Sequence, residues 1–384
     1  MSLYAELAAD LALRERRGLR RTRRLLESPQ RARVRVDGRD YVAFCSNDYL
    51  GLAADQRLAA AAREGLERYG VGAGASHLIL GHGTAHHELE EALARFVRRP
   101  RALLFSTGYM ANMGVVGALV GRGDAVFADR LNHASLNDAV QLSRATFRRY
   151  AHGDLVALER LLATTAARRR LVIVDAVFSM DGDIAAVPAL LEVCQRHDAY
   201  LLVDDAHGFG VLGAQGRGTL AHFGIESERV IYMATLGKAA GVAGAFIAGS
   251  DLLIESVVQQ ARTYIYTTAT PPLLAQALLT SLQLIEREDW RRGRLNELGS
   301  QLRSGLAGLR WKLLPSQTPI QPLLIGGNAD ALALSARLAE QGLLVPAIRP
   351  PTVPQGTARL RISLSADHVA ADVSRLVDAL RLAA

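Results

Sequence analysis

At residues 201–213 the chain reads LLVDDAHGFGVLG: an apolar run stops at two carboxylates, Asp204 and Asp205, with His207 close behind. Four other short apolar runs end in the same way. The run 171-LVIVDAVF-178 delivers Ser179, Met180 and Asp181, and 230-VIYMA-234 delivers Thr235 and then Lys238. The run 101-RALLF-105 delivers Ser106, Thr107 and Gly108 to the start of a helical stretch, and 125-AVFA-128 delivers Asp129 and His133. In open parallel sheets, ligands sit beyond the carboxyl ends of the strands. One sheet edge would then gather an acid, two histidines, hydroxyls, a lysine and a helix N-terminus.

Each of these residues has an ordinary reading when taken alone. A strand-end Asp is commonly a turn former or helix cap, a single His is a packing residue, and a Lys is usually solvated. Lys238, however, sits in the small, apolar stretch 234-ATLGKAAGVAGA-245, in a chain that strongly favours arginine over lysine. Apolar surroundings lower an amine's pKa, which suits it to imine chemistry, and a guanidinium cannot form a Schiff base. The set matches the demands of pyridoxal 5'-phosphate: a lysine for its aldehyde, a carboxylate for its ring nitrogen and donors for its phosphate. On that reading Lys238 holds the aldehyde and Asp204 faces the ring nitrogen. Gly108 and Tyr109 offer a helix N-terminus to the phosphate, and Thr235 adds a hydroxyl. His207 and Ser179 serve the ring hydroxyl, and His133 covers the ring face.

The elements that must position these residues follow from the hydrophobic pattern. Residues 2–27 read as a helix with Leu and Ala on one face, ended near Pro29. Residues 41–44 read as a strand leading into 45-CSNDYLGL-52, and a helical run reaches Tyr69 before the glycine-rich loop 70–83 and a helix over 85–97. From Arg101 onward, apolar runs alternate with helical stretches such as 109–120 and 187–197, the mark of a largely parallel α/β sheet. After Pro271 and Pro272 comes a long helical region. Strand candidates at 320–326, 343–348 and 358–364 and helices at 330–341 and 366–382 form a smaller α+β part. The expected division is an N-terminal helical arm with a short strand (1–45), a large cofactor-binding α/β domain (46–285) and a small C-terminal α+β domain (286–384).

The 384 residues carry a net charge of +7, with 49% hydrophobic and 22% charged residues. The arginines are scattered and aromatics make up only 5%, so no stacking platform for nucleic acid is in view. Cys45 and Cys194 form no CxxC pair, and they read as buried residues of a reducing compartment. No apolar signal core and no membrane-length run is visible, so the expectation is a cytoplasmic protein without a membrane or nucleic-acid partner. Gly70, Gly72 and Ala75 make a GxGxxA pattern, but it follows a helical run rather than a strand, the wrong context for a dinucleotide site. His82, His86, His87 and Glu88 suggest a metal cluster, which a helix start explains as well, and no metal is expected. A purely binding protein would need a broken site, and no expected group is missing.

The blocks SNDYLGL (46–52), FSTGYMAN (105–112), DRLNHAS (129–135), FSMDGD (178–183), VDDAHGFGVLGAQGRG (203–218), TLGKAAGVAG (235–244) and IRPPTVPQGTARLRISLSADH (348–368) span nearly the whole chain. With them the sequence resembles the α-oxoamine synthases, fold-type I pyridoxal-phosphate enzymes that join an amino acid to an acyl thioester. The resemblance implies a seven-stranded, mainly parallel sheet in the large domain. It implies catalytic roles for Lys238, His133 and Asp204, with Gly108, Tyr109, Ser179, His207 and Thr235 also on the cofactor. It further implies that Arg349 binds the amino-acid carboxylate, that Arg21, Asn47, His133 and Thr352 contact substrate, and that active sites lie at a homodimer interface reached by Thr267 or Thr268. RTYIYTTATPP (262–272) and IQPLLIG (320–326) favour the branch serving biotin synthesis, which condenses L-alanine with pimeloyl-CoA or pimeloyl-acyl carrier protein. Branches using glycine and acetyl-CoA, or making 5-aminolevulinate or 3-ketosphinganine, share the same core and stand as alternatives.

Overall fold

The computed structural model describes residues 2–384 and divides into two compact units. One comprises residues 50–179 and 183–292; the other comprises the residues before 50, residues 180–182 and residues 293–384. Two short strands, β1 (Arg33–Val36) and β2 (Arg39–Ala43), precede the larger unit in the chain.

The larger unit is built on seven strands: β3 (Arg101–Phe105), β4 (Ala125–Asp129), β5 (Thr146–Tyr150), β6 (Arg170–Asp175), β7 (Tyr200–Asp204), β8 (Val230–Thr235) and β9 (Ala245–Gly249). Their spatial order is β3-β9-β8-β7-β6-β4-β5. Every neighbour pair from β8 to β5 is parallel, and β9 alone runs the other way, between β8 and β3. Six carboxyl ends therefore share one edge. Asp175 stands level with Asp204, and Phe105 and Thr235 both stand level with Ala245. The central strands are apolar between their ends because both faces are covered. On one face Val115 and Val116 of the helix Gly108–Leu119, Leu136 and Val140 of Ala134–Ser143, and Ile254 and Val257 of Asp251–Gln260 pack on Leu103, Val126, Ile173, Leu202 and Ile231. Full burial of each such side chain is worth about 1.5–3 kcal/mol.

The smaller unit pairs β1, β2 and β12 (Leu343–Leu344) in one sheet. Its second sheet has the order β10 (Lys312–Leu313), β11 (Ile320–Gly326), β14 (Ala358–Ser363), β13 (Ala347–Ile348). Several local features differ from the sequence expectations, among them the unanticipated β10 and the split of 343–348 into β12 and β13 in separate sheets. The N-terminal helix stops at Arg16, because Gly18 adopts φ +62 and turns the chain out of the helix. The strands β1, β5 and β9 were not anticipated: RVRV and TFRRY carry arginines on their exposed sides, and AFIAG hides behind a run of glycine and alanine. No helix among the described residues is long and apolar enough to cross a membrane.

Candidate active site

The carboxyl edge of the seven-stranded sheet encloses a cavity of about 190 Å³ whose lining includes Gly108, Tyr109, His133, Ser179, Asp204, His207, Thr235 and Lys238. All eight residues expected at the cofactor therefore meet in one place. A larger groove of about 570 Å³ lies at the amino ends of the strands, and no Lys, His or Cys is among its lining residues.

Lys238 follows β8 in a tight turn, with the Gly241 N–H donating to the Lys238 carbonyl at 2.9 Å. Its Nζ stands 3.0 Å from His207 Nε2. Asp204 ends β7 and is only 5% exposed. One of its oxygens accepts from the Ala206 N–H at 3.1 Å and the other from Asn112 Nδ2 at 2.7 Å. The carboxylate is thus held from two sides and aimed into the cavity.

Asn112 lies within the helix Gly108–Leu119, and its Nδ2 also donates to Ser135 Oγ at 2.9 Å. Ser135 Oγ in turn lies 2.7 Å from His133 Nδ1, and the Ser135 N–H donates to the same nitrogen at 3.3 Å. A backbone N–H can only donate, so Nδ1 is an acceptor and the proton of the neutral ring sits on Nε2. Burial lowers the His133 pKa, partly offset by the charge of Asp204, which agrees with a neutral ring. The His133 N–H donates to both oxygens of Asp175 at 3.2 and 3.1 Å. Asp175 is itself a cavity residue, with its carboxyl pKa pushed well up by burial and then by the charge of Asp204. Asn112, Ser135 and Asp175 were not singled out from sequence. A lone amide in the apolar run YMANMGVV and an acid in the middle of LVIVDAVF were the available signals.

The helix that starts at Gly108 is capped by Thr107, whose Oγ1 accepts from the Met110 N–H at 3.2 Å. Its first N–H groups have no intrahelical acceptor and carry the positive end of the helix dipole. A Cβ built on Gly108 would stand 2.5 Å from Thr235 Cγ2, so Thr235 closes on this helix end only because residue 108 has no side chain. The Tyr109 ring meets His133 edge-on at 6.4 Å, and its hydroxyl donates to Asp138.

Apart from His133, the expected substrate contacts belong to the smaller unit. Arg21 Nη2 donates to Thr352 Oγ1 at 3.4 Å, and Arg349 Nη1 donates to the Gly18 carbonyl, so these three gather around one stretch of the N-terminal arm. Asn47 Oδ1 accepts from Arg361 Nη1 at 3.1 Å and from the Tyr49 hydroxyl at 3.2 Å. In the larger unit Thr268 bridges to Ser76. His86 engages both ring nitrogens at a helix start, with the Gly83 N–H at 3.1 Å and the Thr270 carbonyl at 2.8 Å.

Residues 39–380 match the family described as aminotransferase class I and II. The 8-amino-7-oxononanoate synthase of Nitrosospira multiformis is 65% identical over 371 residues, covering 97% of this chain and 94% of that one. The enzyme of the same name from Nitrosomonas europaea is 64% identical, covering 99% of each. Among solved structures, a lysine-to-alanine variant of a serine palmitoyltransferase from S. paucimobilis with a bound PLP–myriocin aldimine superposes with a TM-score of 0.94 at 29% identity, covering 100% of this chain and 98% of that one.

Proposed function

We infer that this chain, which belongs to the aminotransferase class I and II family and within it to the 8-amino-7-oxononanoate synthases, condenses L-alanine with a pimeloyl thioester. The products are 8-amino-7-oxononanoate, CO2 and the free thiol carrier, CoA or acyl carrier protein. The cofactor is pyridoxal 5'-phosphate. The donor set fits it: an amine, a two-sided carboxylate and a helix N-terminus line one cavity, and the cradle beside Thr235 is one that a Cβ at residue 108 would fill. Bound to an amino acid, the cofactor supplies an electron sink for the charge left on Cα.

The chain's own residues do the rest. Lys238 Nζ, with His207 Nε2 beside it at 3.0 Å, would hold the aldehyde and would serve as the base for the Cα proton of alanine. Asp204 would pair with the ring N–H, and its two donors keep both oxygens in place. His133 would cover the ring face and offer its Nε2–H, while Ser179 and His207 would serve the ring hydroxyl. Gly108, Tyr109 and Thr235 would receive the phosphate. Arg349 orients the amino-acid carboxylate through paired, charge-assisted hydrogen bonds, and Arg21, Asn47 and Thr352 contact substrate.

The working form is a cytoplasmic homodimer, with Thr267 or Thr268 reaching the neighbour's phosphate. Cys45 and Cys194 are free thiols, in keeping with a reducing compartment. The observation that carries the reading is the meeting of Lys238, Asp204 and His133 in one cavity of a chain so close to enzymes of this name. Product analysis by mass tests it, supplying alanine, glycine and serine against pimeloyl- and acetyl-CoA. Alanine with pimeloyl-CoA should give 8-amino-7-oxononanoate, and exclusive use of glycine with acetyl-CoA would overturn the assignment.

A further inference from the structure

Away from the cavity, one side chain ties together two of the loops that face it. His152 follows β5, with Nδ1 3.1 Å from an oxygen of Asp129 and Nε2 3.0 Å from an oxygen of Asp183. Asp129 ends β4 and begins the loop 129–133 that presents His133. Asp183 closes the loop that presents Ser179: the Phe178 N–H donates to its carbonyl at 3.0 Å, and Val177 bridges to Ile184. The Phe178 ring meets the His152 ring edge-on at 4.4 Å.

Both carboxylates accept, so both ring nitrogens must carry protons and the ring is an imidazolium. The group's pKa agrees, raised to about 10 by hydrogen bonds to Asp129 first and Asp183 second. Asp129 has further donors, the Leu131 N–H at 2.8 Å and the Gly153 N–H at 2.9 Å. The second oxygen of Asp183, by contrast, is buried without a hydrogen-bond partner. Asp183 thus depends on His152 far more than Asp129 does. The other titratable group packed here is Tyr150, whose phenol is pushed up by burial and by Asp129; it stays neutral and leaves the two carboxylates as the charges facing the ring.

We propose that His152 is a positioning residue for the cofactor, a charged staple that holds the His133 loop and the Ser179 loop at a fixed separation. The assignment rests on the pyridoxal-phosphate reading. The ring's raised pKa keeps the staple charged throughout the neutral range. Because the folded value lies above the ordinary one, its contribution is complete below about pH 6.5 and is lost as pH rises through about 10.

The test is titration of the apoprotein with pyridoxal phosphate, followed by the absorbance of the bound cofactor, for the wild type, His152→Gln and His152→Arg. His152→Gln should bind the cofactor roughly tenfold more weakly at pH 8, because a neutral amide replaces a cation that makes two charge-assisted hydrogen bonds. The gap should close as pH passes about 10. His152→Arg, a cation that does not titrate, should bind nearly as the wild type does and lose the transition near pH 10. A merely structural role would lower the melting temperature of His152→Gln and leave its cofactor affinity within twofold of wild type, and that result overturns the proposal. If His152→Gln does not fold, His152→Arg decides: weak binding, or a persisting transition, overturns it. A wild type that takes up no cofactor would instead sink the underlying functional reading.

Discussion

Replacing Asn112 by alanine separates what holds Asp204 from Asp204 itself. The Asn112 side chain is 1% exposed, and its Nδ2 makes two hydrogen bonds, one to the Asp204 carboxylate at 2.7 Å and one to Ser135 Oγ at 2.9 Å. The charged bond is worth about 1.5–3 kcal/mol and the neutral one about 0.5–1.5 kcal/mol. The Ala206 N–H remains on the other carboxylate oxygen, so the acid keeps one anchor and loses its aim. Asn112→Ala should therefore cost about 2–4.5 kcal/mol of apoprotein stability in urea denaturation. Ser135 loses the donor that fixes its hydroxyl toward His133, whose Nε2–H tautomer is still set by the Ser135 N–H. The functional assay is exchange of the alanine Cα proton in D2O with no acyl donor present, which isolates the first proton transfer. Exchange should slow by about tenfold or more, in line with about 1.4 kcal/mol per factor of ten. A variant that loses the expected stability while exchanging at the wild-type rate would refute the claim that Asn112 acts through Asp204.

Two more substitutions probe the same cavity. Asp204→Asn should fold normally and lose alanine Cα exchange almost completely; undiminished exchange would contradict its pairing with the ring nitrogen. Gly108→Ala places a methyl 2.5 Å from Thr235 Cγ2, an overpacking that costs about 1–3 kcal/mol; cofactor affinity should fall about tenfold or more, and adding Thr235→Ser, which removes that methyl, should restore most of it.

Much of this site is legible in the sequence because its residues interrupt apolar runs. Asp204 and Asp205 end a buried strand, and Lys238 stands among alanine and glycine in a chain with only one other lysine, Lys312. A carboxylate or an amine in such a place has few structural reasons to be there. The alternation of apolar strands and helices likewise gives the α/β class directly and five of the seven strands, while the count of seven rests on the family resemblance. What escaped notice was polar groups whose partners come from distant segments. Asn112 reads as one amide in an apolar helix, and only the fold reveals that Asp204, 92 residues on, lies within its reach. His152 follows the unanticipated strand β5, so nothing in the local pattern placed it between two cofactor-facing loops. The reversed strand β9 was missed for a related reason: AFIAG is five residues long and its partners β3 and β8 come from distant or reversed segments.

The central claim is that Lys238 holds the cofactor through its side-chain amine. Borohydride reduction of the protein with pyridoxal phosphate, followed by peptide mapping by mass, tests this most directly, since only Lys238 and Lys312 can carry the label on a lysine. The account predicts one reduced pyridoxyl group per chain, on the peptide containing Lys238. A label on Lys312, or none on either lysine, would contradict it.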